Sequence, residues 1–279
     1  MSEFGPQVGS VMVCATCGVE HVEPVGTCVI CADERQWVPG GGQIWTSLRE
    51  LREAGHRVRF EDLEPGLLGL KVEPSVGIGQ QAHLITTPNG SVLWDVPPFL
   101  DRPAVDRIQA LGPVLAIVAS HPHMFGVQSV WSHALEQAPI LVCEPLLDWV
   151  QRPDAAITGW QDRHEIAPGL VLHELGGHFT GSSVLHWADG AGGRGILFSS
   201  DTIHGNPDGA TVTFMRSYPN RIPLSAAVVE RLASGVTGLE FERMYDNFGR
   251  GPKRDAAAAV QRSAERYAGW VRGEFDYLT

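Results

Sequence analysis

No run of about 20 consecutive apolar residues occurs anywhere in the chain, so no segment is written to cross a bilayer as a helix. The opening MSEFGPQVGS has neither the charged nor the apolar region of a secretory leader, and the expected location is the cytoplasm. Also missing is any gathered run of Lys and Arg. The 21 basic residues face 32 acidic ones, and a formal charge of −11 repels a phosphate backbone. Neither nucleic acid nor membrane is therefore an expected partner. No repeat at a fixed solenoid period and no low-complexity tract interrupts the 279 residues. The composition is that of a packed globule, 43% apolar and 19% charged, with 8 Trp spread along its length.

Cysteine is scarce, and its placement is informative. Four of the five stand in two C-x-x-C pairs, Cys14 with Cys17 and Cys28 with Cys31, while Cys143 lies in the apolar run APILVCE. In a reducing compartment this spacing argues for metal rather than disulfides. Two knuckles ten residues apart can share one ion, and four thiolates close a tetrahedral zinc site without an open position. Such a site holds together a fold too small to build its own core and does no chemistry. His21 could replace one of the cysteines. Residues 1–40 are thus expected to form a zinc-ribbon-like module, docked on the main domain of residues 41–279 or joining copies of the chain into a homo-oligomer.

Beyond the module, GGGQIWTSLRELREAGH leaves a glycine turn for an amphipathic helix with Leu48 and Leu51 on one side. HLITTPNGSVLWDV reads as a hairpin turning at Asn89-Gly90. Helices at RPAVDRIQAL and VWSHALEQA alternate with buried strands at PVLAIVAS and PILVCE, the pattern of layered α/β structure. GLVLHEL, GSSVLHW and GILFSSD follow as strands. A final helix starts near Asp255 and is expected to bury Val260, Ala264, Tyr267 and Val271.

Four chemistry-bearing places each follow an apolar strand where the chain turns. These are His121 and His123 in ASHPHMFGVQ, His178 in ELGGHFTGS, and Asp201 in LFSSDTIHG. Open α/β sheets place their sites at such strand ends. His173 and His186 lie within strands and read as packing or hydrogen-bonded residues. The turn-rich TFMRSYPNRIPL reads as a loop held by prolines, although Arg216, Tyr218 and Arg221 could recognise an anionic substrate.

In order and spacing, these residues resemble the metallo-β-lactamase superfamily, whose pattern is H-x-H-x-D-H, a His in G-H-[TS]-x-G-S, an Asp after a strand and a late His. The resemblance covers about residues 66–260, and GGHFTGSSVLHW with GILFSSD is its most specific part. It implies a four-layer αββα sandwich, with the N-terminal module similar to a zinc-ribbon extension. His121, His123 and His178 match the three-His metal site, and Asp201 matches the carboxylate that bridges two ions. Asp95 resembles an early Asp that supports the ligands from behind, with a turn or cap role as the equal alternative.

The pattern then breaks. Phe125 and Gly126 stand where the family has Asp and His, and the late His should fall near YDNFGRG, which offers Asn247 and Arg250. A standard two-metal centre is not expected, though His204 or His133 could supply a displaced ligand. The lost Asp also positions the attacking water in the family, so Asp201 or His204 is expected to serve as base. The implied activity is hydrolysis of an ester, thioester, lactone or amide of a small molecule at one zinc or iron ion. Iron-dependent oxygen or sulfur chemistry is an alternative, since three His and a carboxylate also suit iron. A non-catalytic descendant that binds a small molecule or a protein is another.

Overall fold

Near-continuous apolar runs in the first half build a parallel core, and alternating runs build the antiparallel flank beside it. The computed structural model describes residues 6–23 and 26–279. The chain divides into two compact units, Met1–Trp160 and Gln161–Thr279.

In the first unit a seven-stranded sheet runs, in spatial order, Ile157–Trp160, Ile140–Cys143, Val114–Val118, Gly90–Trp94, Ala82–Thr87, Leu67–Glu73 and Arg57–Glu64. The first four are mutually parallel and the rest antiparallel. Every residue of Gly90–Trp94 and Ile140–Cys143 is buried, as strands covered on both faces require. The edge strand Arg57–Glu64 instead carries charge, which discourages pairing with another chain. Asp101 caps the helix Arg102–Gln109 by accepting from the Ala104 amide at 2.9 Å. Ser47 and Glu50 form a reciprocal capping box on Leu48–Glu53, which buries Leu48 and Leu51 as expected.

The hairpin forms, but its turn sits one residue earlier than Asn89-Gly90. Thr87 pairs with Gly90, leaving Pro88 and Asn89 as the two turn residues. Proline at the first corner position fixes φ near the value that position needs, and this outweighs the Asn-Gly preference. The N-terminal segment forms a separate three-stranded sheet in which Met12–Cys14 pairs with both Glu20–His21 and Trp45–Ser47.

In the second unit a five-stranded sheet runs Arg163–Ala167, Leu170–Glu174, Ser183–Trp187, Ile196–Phe198 and Arg243–Tyr245, antiparallel except for the last, parallel pair. The helices Ala226–Gly235 and Ala256–Val271 contribute Val229, Leu232 and Val260 to a core that also holds Leu197, Phe214 and Met244. Val260 and Ala264 are buried as expected, but Tyr267 is only half-buried and Val271 is 48% exposed. The buried stripe runs on through Ala268 and Gly269, with Tyr267 packed at its margin, so the 260/264/267/271 spacing drifts off the stripe at its last position. No helix among the described residues is long and apolar enough to cross a membrane.

Candidate metal centres

The four paired cysteines are buried, and their sulfurs lie within 4.8 Å of one another. Sγ of Cys14 is 3.5 Å from that of Cys31, and Sγ of Cys17 is 3.8 Å from that of Cys28. A disulfide would require about 2.05 Å. Four thiolates at tetrahedral corners about 2.3 Å from a zinc ion stand about 3.8 Å apart, so the donor set fits that ion. His21 lies outside the group. Its Nε2 is 3.4 Å from the Cys28 sulfur, and its ring meets Trp45 edge-on.

The cysteine segment is seated on the loop that follows the His-x-His motif. The Glu20 amide donates to the Gly126 carbonyl at 2.9 Å. The Glu20 carboxylate accepts from the Ser129 amide at 2.6 Å and from the Ser129 hydroxyl at 2.7 Å. Ser129 lies in the first turn of the helix Gln128–Ala134, so an acidic group of the cysteine segment serves that helix at its start. Burial pushes the Glu20 carboxyl up to about 7, against the Ser129 bonds and the Arg152 guanidinium 3.6 Å away. Arg152 also donates to the Ser129 hydroxyl.

Phe125 and Gly126 show why the second set of ligands is missing. Phe125 is packed in the core at 1% exposure. Gly126 has φ +50°, and a Cβ there would overlap the Val96 carbonyl, 2.8 Å from its carbon and 2.9 Å from the Pro97 oxygen. No side chain fits at position 126 without moving that backbone.

Asp95 and the His-x-His turn follow Gly90–Trp94 and Val114–Val118, which are parallel neighbours, so both emerge at one end of the sheet. The Asp95 carboxylate accepts from the Ser120 amide at 2.9 Å and from its hydroxyl at 2.7 Å. The Ser120 oxygen is 2.9 Å from Nδ1 of His121. A carboxylate only accepts, so the Ser120 proton points at Asp95 and His121 donates from Nδ1. The lone pair of His121 is therefore on Nε2, the tautomer a metal ligand needs. Asp95 thus stands behind a ligand, and Ser120 is the link that motif reading passes over.

The second unit repeats this device. Asp201 and Asp246 follow Ile196–Phe198 and Arg243–Tyr245, again parallel neighbours. The loop before His178 turns on Gly176 and Gly177, with φ +75° and +86°; a Cβ on Gly177 would lie 2.7 Å from Leu232. It is closed by the Phe179 amide donating to the Ser182 hydroxyl at 2.9 Å. Nε2 of His178 is 3.9 Å from Oδ2 of Asp201. Nδ1 of His204 is 3.6 Å from Oδ1 of Asp201 and 3.1 Å from Oδ2 of Asp246. The second approach is close but bent, a charge contact more than an aligned hydrogen bond. Asp246 is buried and accepts from the amides of Gly205, Phe248 and Arg250 at 3.1, 2.9 and 2.8 Å. Tyr218 lies against His204, ring centroids 4.5 Å apart. Burial, followed by Asp201 and Asp246, raises its phenol well above the ordinary value, so it stays neutral.

His121, His123, His178 and Asp201 each offer one ligand atom, these atoms lie within 4.8 Å of one another, and all four residues are buried. Three imidazoles and a carboxylate form a donor set suited to zinc or iron. The other expected residues are placed differently. His133 is engaged by Asp154, with Nε2 2.8 Å from Oδ2. His186 bonds the Glu240 carbonyl at 2.8 Å, and His173, half-buried, is lowered to about 4 by burial and then by His186 and Arg163. Arg216 lines a cavity of about 540 Å³ with Arg231, Asp162 and Glu174, whereas Arg221 is an exposed turn residue at φ +52°. Asn247 is buried, and the Arg250 guanidinium sits over the Phe248 ring.

No family model matches the chain. It is 44% identical over 260 residues to the uncharacterized protein YmaE of Bacillus subtilis strain 168, covering 91% of this chain and 94% of that one. Among solved structures it is similar to a metallo-β-lactamase from Hirschia baltica (17% identity, 76% of this chain and 98% of that one, TM-score 0.52). It is also similar to FIM-1 of Pseudomonas aeruginosa in its mono-zinc form (14%, 76% and 96%, 0.53). A third likeness is to TMB-1 (12%, 75% and 98%, 0.56). These likenesses establish the metallo-β-lactamase fold.

Proposed function

The chain carries the metallo-β-lactamase fold and belongs to one family with Bacillus subtilis YmaE, and on that premise we propose that it is a single-ion metallo-hydrolase. Its substrate is a small molecule with an ester, thioester, lactone or amide bond. The observation that carries the reading is the convergence of His121, His123, His178 and Asp201 within 4.8 Å, beside a loop in which Gly126 admits no further ligand. FIM-1 in its mono-zinc form is a precedent for one ion on this fold. The four cysteines hold a structural zinc ion in this reading.

An ion at these four donors supplies Lewis acidity and activates water near neutral pH. Around it, the chain's own groups divide the remaining work. Asp95 and Ser120 keep the His121 lone pair on Nε2. Asp246 faces Nδ1 of His204 at 3.1 Å, and the imidazole is the base that accepts the proton the reaction releases. Asp201 serves as fourth donor and stands 3.6 Å from Nδ1 of His204. The neutral Tyr218 ring packs on His204 without adding charge to the site.

Elemental analysis of protein purified without added metal tests the assignment, alongside turnover on a panel of esters, thioesters, lactones and amides. Two ions per chain are expected, one of them lost in a His121→Ala/His123→Ala double variant together with all turnover. An Asp201→Ala variant that keeps both its metal and its activity would overturn the role given to Asp201. A visible absorption band from iron, with turnover only in the presence of oxygen, would replace hydrolysis by oxidative chemistry.

A further inference from the structure

The C-terminal helix has a second, chemically distinct feature. The face of Ala256–Val271 that bears Arg262, Arg266, Tyr267 and Trp270 borders a cavity of about 500 Å³, closed on its other side by Val212, Met215 and Pro223. That volume is in the range of small-molecule pockets. The lining is mostly apolar, and its charged members are the two arginines; no Asp or Glu lines it. In a chain of formal charge −11, two guanidiniums at the rim of an apolar hollow form a local inversion of charge. Arg266 lies over the Trp270 ring at 5.9 Å, and Arg262 pairs with Asp255 at 3.0 Å. Both members of that pair are more than half exposed, so a ligand anion displaces Asp255 at little cost. An apolar wall with a cationic rim selects for an amphiphile with an anionic head.

We propose that this cavity binds a medium-chain carboxylate, its alkyl body on Val212, Met215, Tyr267 and Trp270 and its head at Arg262 and Arg266. The site is separate from the four metal donors and does not depend on the hydrolase reading. It is nevertheless wired to His204. Thr213, in the cavity wall, is the strand partner of His204, and the Tyr218 hydroxyl donates to the Thr213 carbonyl at 3.3 Å while its ring packs on His204. Occupation of the cavity braces the strand on which that histidine is held.

The test uses the full chain and three ten-carbon probes below their micelle concentrations, namely decanoate, decanol and decyltrimethylammonium, titrated by calorimetry. Decanoate is expected to saturate at one site, at least tenfold more tightly than decanol, with no saturable binding of the cation. An Arg262→Glu/Arg266→Glu variant should lose that tenfold preference while its decanol binding stays the same. For location, 10-bromodecanoate should quench a component of the indole fluorescence that is absent from a Trp270→Phe variant, a conservative change at a partly exposed position. No saturable decanoate binding, decanol bound as tightly as decanoate, an unaltered preference after the charge reversal, or equal quenching in Trp270→Phe would each overturn the proposal.

Discussion

Replacing Glu20 by Gln should remove a specific loss of stability as pH rises from about 5 to neutral. The carboxyl is 2% exposed, and its ordinary value of 4.5 is pushed up to about 7, chiefly by burial. Between these values the folded chain holds a proton that the unfolded chain has released. The contribution to stability is therefore present in full below pH 4.5 and is lost as pH rises to about 7. The linked free energy is about 3 kcal/mol over the whole interval, and about 2 to 3 kcal/mol of it falls between pH 5 and pH 8. Glutamine keeps an acceptor for the Ser129 amide and cannot ionise. Urea unfolding of both proteins at pH 5 and pH 8 isolates the term, because proton competition at the cysteines is common to the two. The wild-type midpoint should fall by about 1 M more than that of the Glu20→Gln variant across the interval. If the two midpoints fall in parallel, the Glu20 carboxyl is ionised and well solvated throughout, and the account of its burial is wrong.

Other predictions are equally direct. Ser120→Ala removes the acceptor at Nδ1 of His121, so affinity for the ion at the histidine site should drop by roughly 10- to 100-fold in a chelator competition while the urea midpoint hardly moves. Gly126→His should leave the ion count unchanged and cost about 2 kcal/mol or more in unfolding experiments, since its Cβ overlaps the Val96 carbonyl. His204→Ala should lower kcat by about 10² to 10⁴ at constant metal content if the imidazole carries the proton. Glu20→Ala leaves two buried donors of Ser129 unanswered and should destabilise by about 2 to 4 kcal/mol, read as a shift in thermal midpoint.

What was legible in the sequence depended on distance along the chain. Cys14, Cys17, Cys28 and Cys31 announce themselves because an ion needs close, regular spacing, and His121 with His123 do so because they follow an apolar strand directly. His178 is marked by the glycines whose positive φ values turn its loop. Glu20 and Ser129, by contrast, are 109 residues apart, and no local pattern pairs an acid in a cysteine knuckle with a helix start. Asp246 reads as an ordinary turn residue until strand pairing brings its loop beside Gly205, 41 positions earlier. The missing ligands at Phe125 and Gly126 were visible as letters. That Gly126 is a steric necessity depends on φ and on a carbonyl contributed by Val96, and neither is written locally.

The bond from the Glu20 amide to the Gly126 carbonyl limits what the loop can carry. Adding a metal-binding side chain at position 125 or 126 is costly at each position taken singly. An acid in place of Phe125 would bury an unpaired charge, and a histidine at 126 would evict the Val96 carbonyl on which the loop rests. Either change also disturbs the seat of Glu20, and with it the cysteine segment. The cysteine segment and the loop at Gly126 are therefore joined, and a substitution in one is felt in the other.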